Sequence, residues 1–343
     1  MKKIAALLLL LALLAGCAAT PPAEPQISIP TAPVTTPSES TGTEPTVSEP
    51  PATQPPVTEP PVTEPPVTEP PTTTPPIIEL PVNGSLSVHF IDVGQADCAL
   101  LECNGEYALI DGGNTDDTDL VKDYLNEQGV KELSLVVGTH PHEDHIGGLP
   151  GVISSYPTDT VWSTEIDFYN GYVNAFLHTA QSHSRLDYPD VGDTYALGGA
   201  TIEVLGPVKT GYEDPNDSSL VLMVTYGKTR FLFTGDMEQL AETDLLDSGA
   251  DVRADVLKVG HHGSYTSTGY RFLREVAPTY AVISVGSNNE YGHPHDSTTS
   301  KLKNADVIIY RTDKMYNIVA TSDGTDISFT WDNIYAKPWK PAA

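Results

Sequence analysis

The run GTHPHEDHIGG, residues 138–148, sets three histidines and two acids beside one proline in the six positions from His140 to His145. Imidazole nitrogens and carboxylate oxygens are the donors that zinc and similar transition metals take. One rigid proline separates His140 from His142, and Asp144 with His145 follows after one more residue. Four donors so close in the chain cannot comfortably surround a single ion. They can serve two ions side by side, the first pair on one and the second pair on the other. Two ions about 3.5–4 Å apart clamp a bridging hydroxide and the oxygens of a substrate. Gly147 and Gly148 are expected to let the backbone turn tightly beneath the donors.

The histidine run follows the apolar stretch Leu133–Gly138, which reads as a strand, so the loop is expected at a strand's C-terminal end. Upstream, Ser85–Asp92, Asp97–Cys103 and Tyr107–Asp111 also read as strands. The last two are joined at Asn104-Gly105, the pair that favours a type I′ hairpin turn. A helix is expected from Thr118 to Gln128, closed by Gly129. Downstream, a helix near Tyr172–Gln181 gives way to strands at Thr201–Leu205, Leu220–Tyr226 and Arg230–Thr234. A helix from Met237 to Asp247 leads to the strand Asp255–Val259, which stops at His261-His262-Gly263-Ser264. Helix and strand then alternate through Gly269–Val276, Ala281–Val285, Ser297–Asn304 and Val307–Tyr310, with further strands at Met315–Ala320 and Ser328–Trp331. Strand-rich halves interleaved with helices predict an α/β fold, two mixed sheets face to face with helices outside, in four αββα layers.

The first eighty residues are unlike the rest. Lys2 and Lys3 precede an unbroken apolar run, Ile4–Ala15, too short to span a bilayer with normal flanks; residues 1–16 read as a signal peptide. Leu14-Ala15-Gly16-Cys17 resembles the lipobox of bacterial lipoproteins, which implies cleavage before Cys17, its lipidation, and a mature chain anchored on the outer face of the cytoplasmic membrane. Residues 17–81 are expected to form a disordered linker. Thr20–Pro81 holds 20 of the 30 prolines and three copies of Val-Thr-Glu-Pro-Pro, at Val57, Val62 and Val67. Such a segment buries too little apolar surface to offset its ordering entropy and stays extended. Residues 82–343 suffice for one large domain.

The net charge is −28, and the first eighty residues hold only 8 acids and 2 lysines, which leaves 38 acids against 16 bases beyond them. That balance opposes stable nucleic-acid binding, which depends on clustered Lys and Arg. A nuclease is not thereby excluded, because bound cations reverse the sign locally. Cys98 and Cys103, five apart on one expected strand, lie on opposite faces and read as two buried thiols.

HPHEDH, residues 140–145, resembles the HxHxDH signature of the metallo-β-lactamase fold superfamily. FIDVGQAD, THPHEDHIGG, NDSSLVL, FTGD, LKVGHHGS and ISVGSNNEYGHPH, in that order, are similar more narrowly to the extracellular hydrolase domain of the ComEC competence proteins, over roughly Leu86–Tyr310. The resemblance implies two divalent ions, zinc foremost with manganese the alternative, held by His140, His142, Asp144, His145, Asp236 and His261. Asp236 would bridge both ions and His261 would complete the second. Asp92 and Asp111 match supporting aspartates near the start of the fold, and ligand histidines need such partners to fix their tautomers. Ala96 stands where glycine is usual. No histidine lies between His183 and His261, where many members place a third histidine on the first ion; Asn216–Ser219 occupies that stretch, so Ser219 or an open position would complete that ion. His262, Ser264, His293 and His295 are secondary candidates. His293 could bind a phosphate or protonate a leaving group, and a turn-structuring role is open to it as well.

The resemblance implies a surface-anchored metallo-hydrolase acting on phosphoesters, most plausibly phosphodiesters, through a metal-activated bridging water, with Asp144, Asp236 and His293 as its catalytic residues. The expected substrate is a cell-wall polymer or extracellular nucleic acid. The competing readings are a wall esterase of the kind that removes phosphocholine from teichoic acids, and a non-catalytic metal-binding receptor or adhesin.

Overall fold

The computed structural model describes residues 84–166 and 170–341, so the expected signal peptide, the expected lipidation site Cys17 and the expected linker lie outside the described residues. The first half runs β1 (Leu86–Phe90), β2 (Ala99–Cys103), β3 (Glu106–Ile110), α1 (Thr118–Glu127), β4 (Leu133–Gly138), α2 (Glu143–Ile146), α3 (Leu149–Ser155), β5 (Thr158–Ser163), α4 (Gly171–His183) and β6 (Arg185–Asp187). The second runs β7 (Thr194–Leu197), β8 (Ala200–Gly206), β9 (Val221–Tyr226), β10 (Thr229–Phe233), α5 (Gln239–Asp247), β11 (Val256–Lys258), α6 (Tyr270–Val276), β12 (Tyr280–Ile283), α7 (Asp296–Asn304), β13 (Ile308–Arg311), α8 (Thr312–Met315), β14 (Ile318–Ser322) and β15 (Ile327–Trp331).

These strands make two mixed sheets, ordered β15-β14-β1-β2-β3-β4-β5-β6 and β13-β12-β11-β10-β9-β8-β7. Alternation along each strand sorts its side chains between layers. Val88, Phe90, Leu101 and Val137 of the first sheet meet Val224, Phe231, Phe233 and Val282 of the second. Phe90 stacks on Phe233 across that interface at 5.9 Å between centroids. The opposite faces carry Leu100, Leu109 and Val136 against Val121, Val152 and Phe176 of α1, α3 and α4. Leu232 and Ile283 pack likewise against Leu245, Phe272 and Leu302 of α5, α6 and α7. Two sheets with a helical layer on each outer side give the αββα sandwich.

β3, β4 and β5 run parallel, as do β10, β11 and β12, so within each sheet several strands deliver their C-terminal ends to the same edge. In open α/β sheets that edge is where ligands bind. The hairpin between β2 and β3 has positive φ at both Asn104 and Gly105, as a type I′ turn requires. Cys98 and Cys103 are free and buried, one under the helices and the other between the sheets. The strand expected from Met315 starts later, at Ile318; residues 312–315 form a helical turn instead, pinned where Thr312 Oγ1 accepts the Val285 N–H at 2.8 Å. Gly147 and Gly148 have ordinary helical φ and ψ. Their lack of a side chain serves close approach, because a Cβ on Gly148 would lie 2.1 Å from Gly112 O. No helix among the described residues is long and apolar enough to cross a membrane.

Candidate metal centre

The loop after β4 is fixed from behind before its side chains do anything. Asp97 N–H donates to Asp144 O (3.0 Å), Gly112 N–H to His145 O (2.7 Å) and Leu220 N–H to Thr139 O (2.9 Å). The last of these ties the loop to the opposite sheet. His140 and His145 end up fully buried, with His142 and Asp144 half-buried at the cleft floor.

Asp236, one residue past the positive-φ Gly235 that follows β10, faces this loop. Its Oδ1 lies 3.2 Å from His145 Nε2. Its Oδ2 lies 3.9 Å from His140 Nε2, 3.6 Å from His262 Nε2 and 3.7 Å from His261 Nε2. Ser219 sets the aspartate's backbone: its hydroxyl accepts the Asp236 N–H at 3.1 Å and donates to Asn216 O at 2.7 Å. Asp144, His145, Asp236 and His262 offer ligand atoms that all lie within 4.8 Å of one another. His262 thus takes the position in this cluster that the sequence suggested for His261. His140 Nε2 and His142 Nδ1 form a second pair, 3.1 Å apart.

His261 and His262 both adopt left-handed backbone, with φ of 48° and 51°. Each such residue costs about 1–2 kcal/mol without glycine, and residues held this way cluster at functional sites. The turn sends the two rings apart. His262 is buried with Nε2 3.2 Å from Asp144 Oδ2, whereas His261 stays partly exposed with Nδ1 3.1 Å from Glu238 Oε1. Gly263 completes the turn, and a Cβ there would sit 2.5 Å from Pro294.

Behind the cluster, His145, His140 and His262 each have a partner for Nδ1. His145 Nδ1 lies 2.8 Å from Asp111 Oδ2, and Asp111 also accepts the N–H and hydroxyl of Thr139, both at 2.8 Å. Thr139 Oγ1 lies 3.2 Å from His140 Nδ1. The Nδ1 of His262 sits between Ser284 O at 3.1 Å and Asp97 Oδ1 at 3.2 Å, and Asp97 Oδ2 is paired with buried Lys258 at 2.7 Å. With Nδ1 donating to these partners, Nε2 is the nitrogen that, once deprotonated, would present its lone pair to a metal.

The donor set suits divalent cations, and the packing shows a demand for them. His145 Nε2 and Asp236 Oδ1 are buried and face each other at 3.2 Å without making a hydrogen bond. Burial works to lower the pKa of His145 and His262, yet Asp236 with Asp111 and Asp97 outweighs it, raising His145 well above its ordinary value and His262 to about 10. Burial works to raise Asp97, and Lys258 and His262 overcome it, holding the carboxyl at about 2. To hold a cation through Nε2, His145 and His262 would have to give up those protons.

The cleft over the cluster, about 680 Å³ including its open mouth, is lined by Gln95, Glu143, His261, Tyr291 and His293 together with His142, Asp144, Asp236 and His262, while His140 and His145 lie buried beneath it. Burial and the neighbouring His262 and His261 push the His293 pKa down to about 4. Its Nδ1 lies 3.4 Å from the Gln95 amide nitrogen, and exposed Tyr291 stacks on its ring at 5.6 Å.

The remaining candidates stand back from the cleft. Asp92 supports a loop by accepting the Gly94 N–H at 3.2 Å. Ser264 Oγ accepts the Thr266 N–H at 3.3 Å, and His295 Nδ1 accepts the Tyr265 N–H at 3.1 Å. Sequence reasoning passed over Asp97, Lys258, Thr139, Glu238 and Gln95. A lysine inside an apolar strand, directly before the GHHG turn, was the available signal for Lys258.

Residues 91–287, more than half of the chain, match the Metallo-beta-lactamase superfamily, and the chain belongs to that superfamily. Within it, the relatives fit a ComEC-like branch. ComE operon protein 3 of Bacillus subtilis (strain 168) is 31% identical over 197 residues, covering 56% of this chain and 25% of that protein. Competence protein ComA of Neisseria gonorrhoeae is 32% identical over 225 residues, covering 65% and 30%. The matched region therefore spans less than a third of these relatives' length. Among solved structures, the metallo-beta-lactamase fold protein YhfI from Bacillus subtilis aligns over 69% of this chain and 100% of its own at 14% identity, with a TM-score of 0.49.

Proposed function

We propose that the chain is a surface-anchored, metal-dependent hydrolase of phosphoesters, with phosphodiesters the best-fitting class and the anchor at Cys17. The observation that carries this reading is the cluster Asp144, His145, Asp236 and His262 beneath an open cleft, with His145 Nε2 and Asp236 Oδ1 buried 3.2 Å apart without a hydrogen bond. Two divalent cations bound here, one by this cluster and one by His140, His142 and Asp236, would supply an activated water and offset charge on phosphoryl oxygens.

The chain's own groups do the rest. Asp111, Asp97 and Glu238 hold three imidazoles by Nδ1 and aim their Nε2 atoms. His261, His293 and the Gln95 amide line the cleft, where they can donate to substrate oxygens. The exposed face of Tyr291 is available to the part of the substrate that does not react. Asp144 and Asp236 put negative charge beside the substrate position, which bound cations would offset. Within this reading the chain's acidity opposes stable nucleic-acid binding, and the expected linker and anchor suit a wall-polymer ester at least as well.

The test is the metal content of the purified chain and its turnover of bis(p-nitrophenyl) phosphate after zinc or manganese loading, with Asp144→Ala beside it. About two ions and metal-dependent turnover that Asp144→Ala lowers by about 100-fold or more is the expected result. Bound metal without turnover on this or other esters supports a receptor or adhesin, and a chain that binds no metal overturns the reading.

A further inference from the structure

The buried Lys258–Asp97 pair has no part in the cleft, and its place in the fold is unusual. Lys258 ends β11 in the second sheet, and Asp97 lies in the loop before β2 of the first, so the pair joins the two layers directly behind the cluster. Both side chains are about one-twentieth exposed, and Lys258 Nζ also donates to Val259 O at 3.0 Å. Asp97 is held by its backbone as well, donating to Asp144 O and accepting from Gly113 N–H. Its second oxygen lies 3.2 Å from His262 Nδ1 without forming a hydrogen bond, the hydrogen bond of that nitrogen going to Ser284 O at 3.1 Å. The same aspartate thus touches the segment that carries Asp144 and the imidazole that faces it.

A second feature concerns where an ion can go. Asp97, Asp111 and His145 also offer ligand atoms within 4.8 Å of one another, at the back of the centre. A cavity with room for about one water lies there, lined by Asp97, Asp111, Thr139, Lys258 and Ser284. The ammonium bonded to Asp97 supplies that group with a fixed positive charge. A divalent ion placed behind the histidines would be repelled by it, whereas one placed in front meets Asp144 and Asp236.

We propose that Lys258 is a positioning residue of the metal centre: its ammonium fixes Asp97, the Asp97 carboxylate together with Ser284 O holds the His262 ring with Nε2 toward Asp144 and Asp236, and the same charge keeps the rear carboxylates from competing for the ion. The inference rests on the metal-centre reading above. It requires an orientation effect on His262, because removal of an outer partner of a ligand histidine typically costs about 10–100-fold in metal affinity.

The test compares the full chain with Lys258→Met and with the double variant Lys258→Met/Asp97→Asn, which removes both buried charges at similar volume and so keeps a foldable protein in hand. Three quantities are read: zinc affinity by competition with a chromophoric chelator, the visible spectrum of the cobalt-loaded protein, and melting of the metal-free protein. The expected result is a zinc affinity about 10–100-fold weaker in the double variant, and in Lys258→Met where it folds, with an altered cobalt spectrum. Melting temperatures that fall while zinc affinity and the cobalt spectrum stay those of wild type would reduce the pair to a fastener between sheets and overturn the proposal. A wild-type chain that binds no zinc instead removes the centre itself, so the two failures are told apart.

Discussion

His261 and His262 are adjacent in the chain and unequal in the structure. Two consecutive left-handed residues point one ring into the buried cluster and leave the other on the cleft wall beside Glu238. Substituting them one at a time separates the roles. His262→Ala is expected to weaken zinc binding by about 100-fold or more, since it removes the buried imidazole of the cluster while the neighbouring His261 stays turned toward Glu238. His261→Ala is expected to keep both ions and to lose about tenfold in kcat/KM for bis(p-nitrophenyl) phosphate, as a cleft-wall contact would. Metal analysis of the two variants decides it, and equal metal loss in both would place His261 among the ligands. The sequence made the doublet legible as metal chemistry but gave no means to choose between the rings, because the choice lies in a pair of φ angles. Asp97 was hidden for a related reason: its motif also carries Asp92, and only the folded loop shows which of the two turns inward.

At the scale of elements, the turn that carries both histidines is held from α5. Glu242 is buried and accepts the backbone N–H groups of Thr268 and Gly269, the latter at 2.9 Å, while Lys301 of α7 donates to Ser267 O in the same loop. Burial raises the Glu242 pKa from 4.5 to about 7 against the pull of those two N–H groups and Lys301, with Asp217 pushing the same way as burial. The folded state therefore keeps a proton that the unfolded chain releases near pH 4.5. The stability this contributes is complete below pH 4.5 and is lost as pH rises through about 7, on the order of 3 kcal/mol across the window. Glu242→Gln is expected to lose that slope whatever its absolute stability. Urea midpoints at pH 5 and pH 8 for both proteins measure it, and parallel pH profiles would assign the slope to other groups. The elements themselves were legible where two signals agreed: Leu133–Gly138 stands as β4, and the Asn104-Gly105 turn and the Gly129 stop fall where their residue types put them. β5, β6 and β7 were not found. β5 reads TDTVWS, with Thr158 and Thr160 buried, so its polar letters hide a core strand, and β6 has only three residues. α2 was missed because its four residues are themselves the metal motif.

Over the whole molecule, parallel strands from both sheets end at one edge, so residues from Asp97 to His293 meet although nearly two hundred positions separate them. The order of polar clusters at strand ends made that convergence legible in outline. The layering supplied the rest, since only sheets packed face to face bring Asp236 opposite His145. The surface around the edge is governed by composition: a chain of net charge −28 repels a polyanion over the Debye length, about 10 Å at 0.1 M salt. Added salt weakens that repulsion, so kcat/KM on duplex DNA is expected to rise by about threefold or more between about 20 and about 150 mM NaCl at fixed metal. Bis(p-nitrophenyl) phosphate carries one charge and should change less than about twofold over the same range, which also controls for any effect of chloride on the metals. A basic nuclease behaves in the opposite sense, losing affinity steeply as counterions return to the backbone. If DNA turnover by this chain falls steeply with salt, a local cationic track must outweigh the acidic body, and nucleic acid displaces the wall polymer as the favoured substrate. A rise with salt leaves DNA as a substrate the chain tolerates and directs the search to phosphoesters of lower charge density.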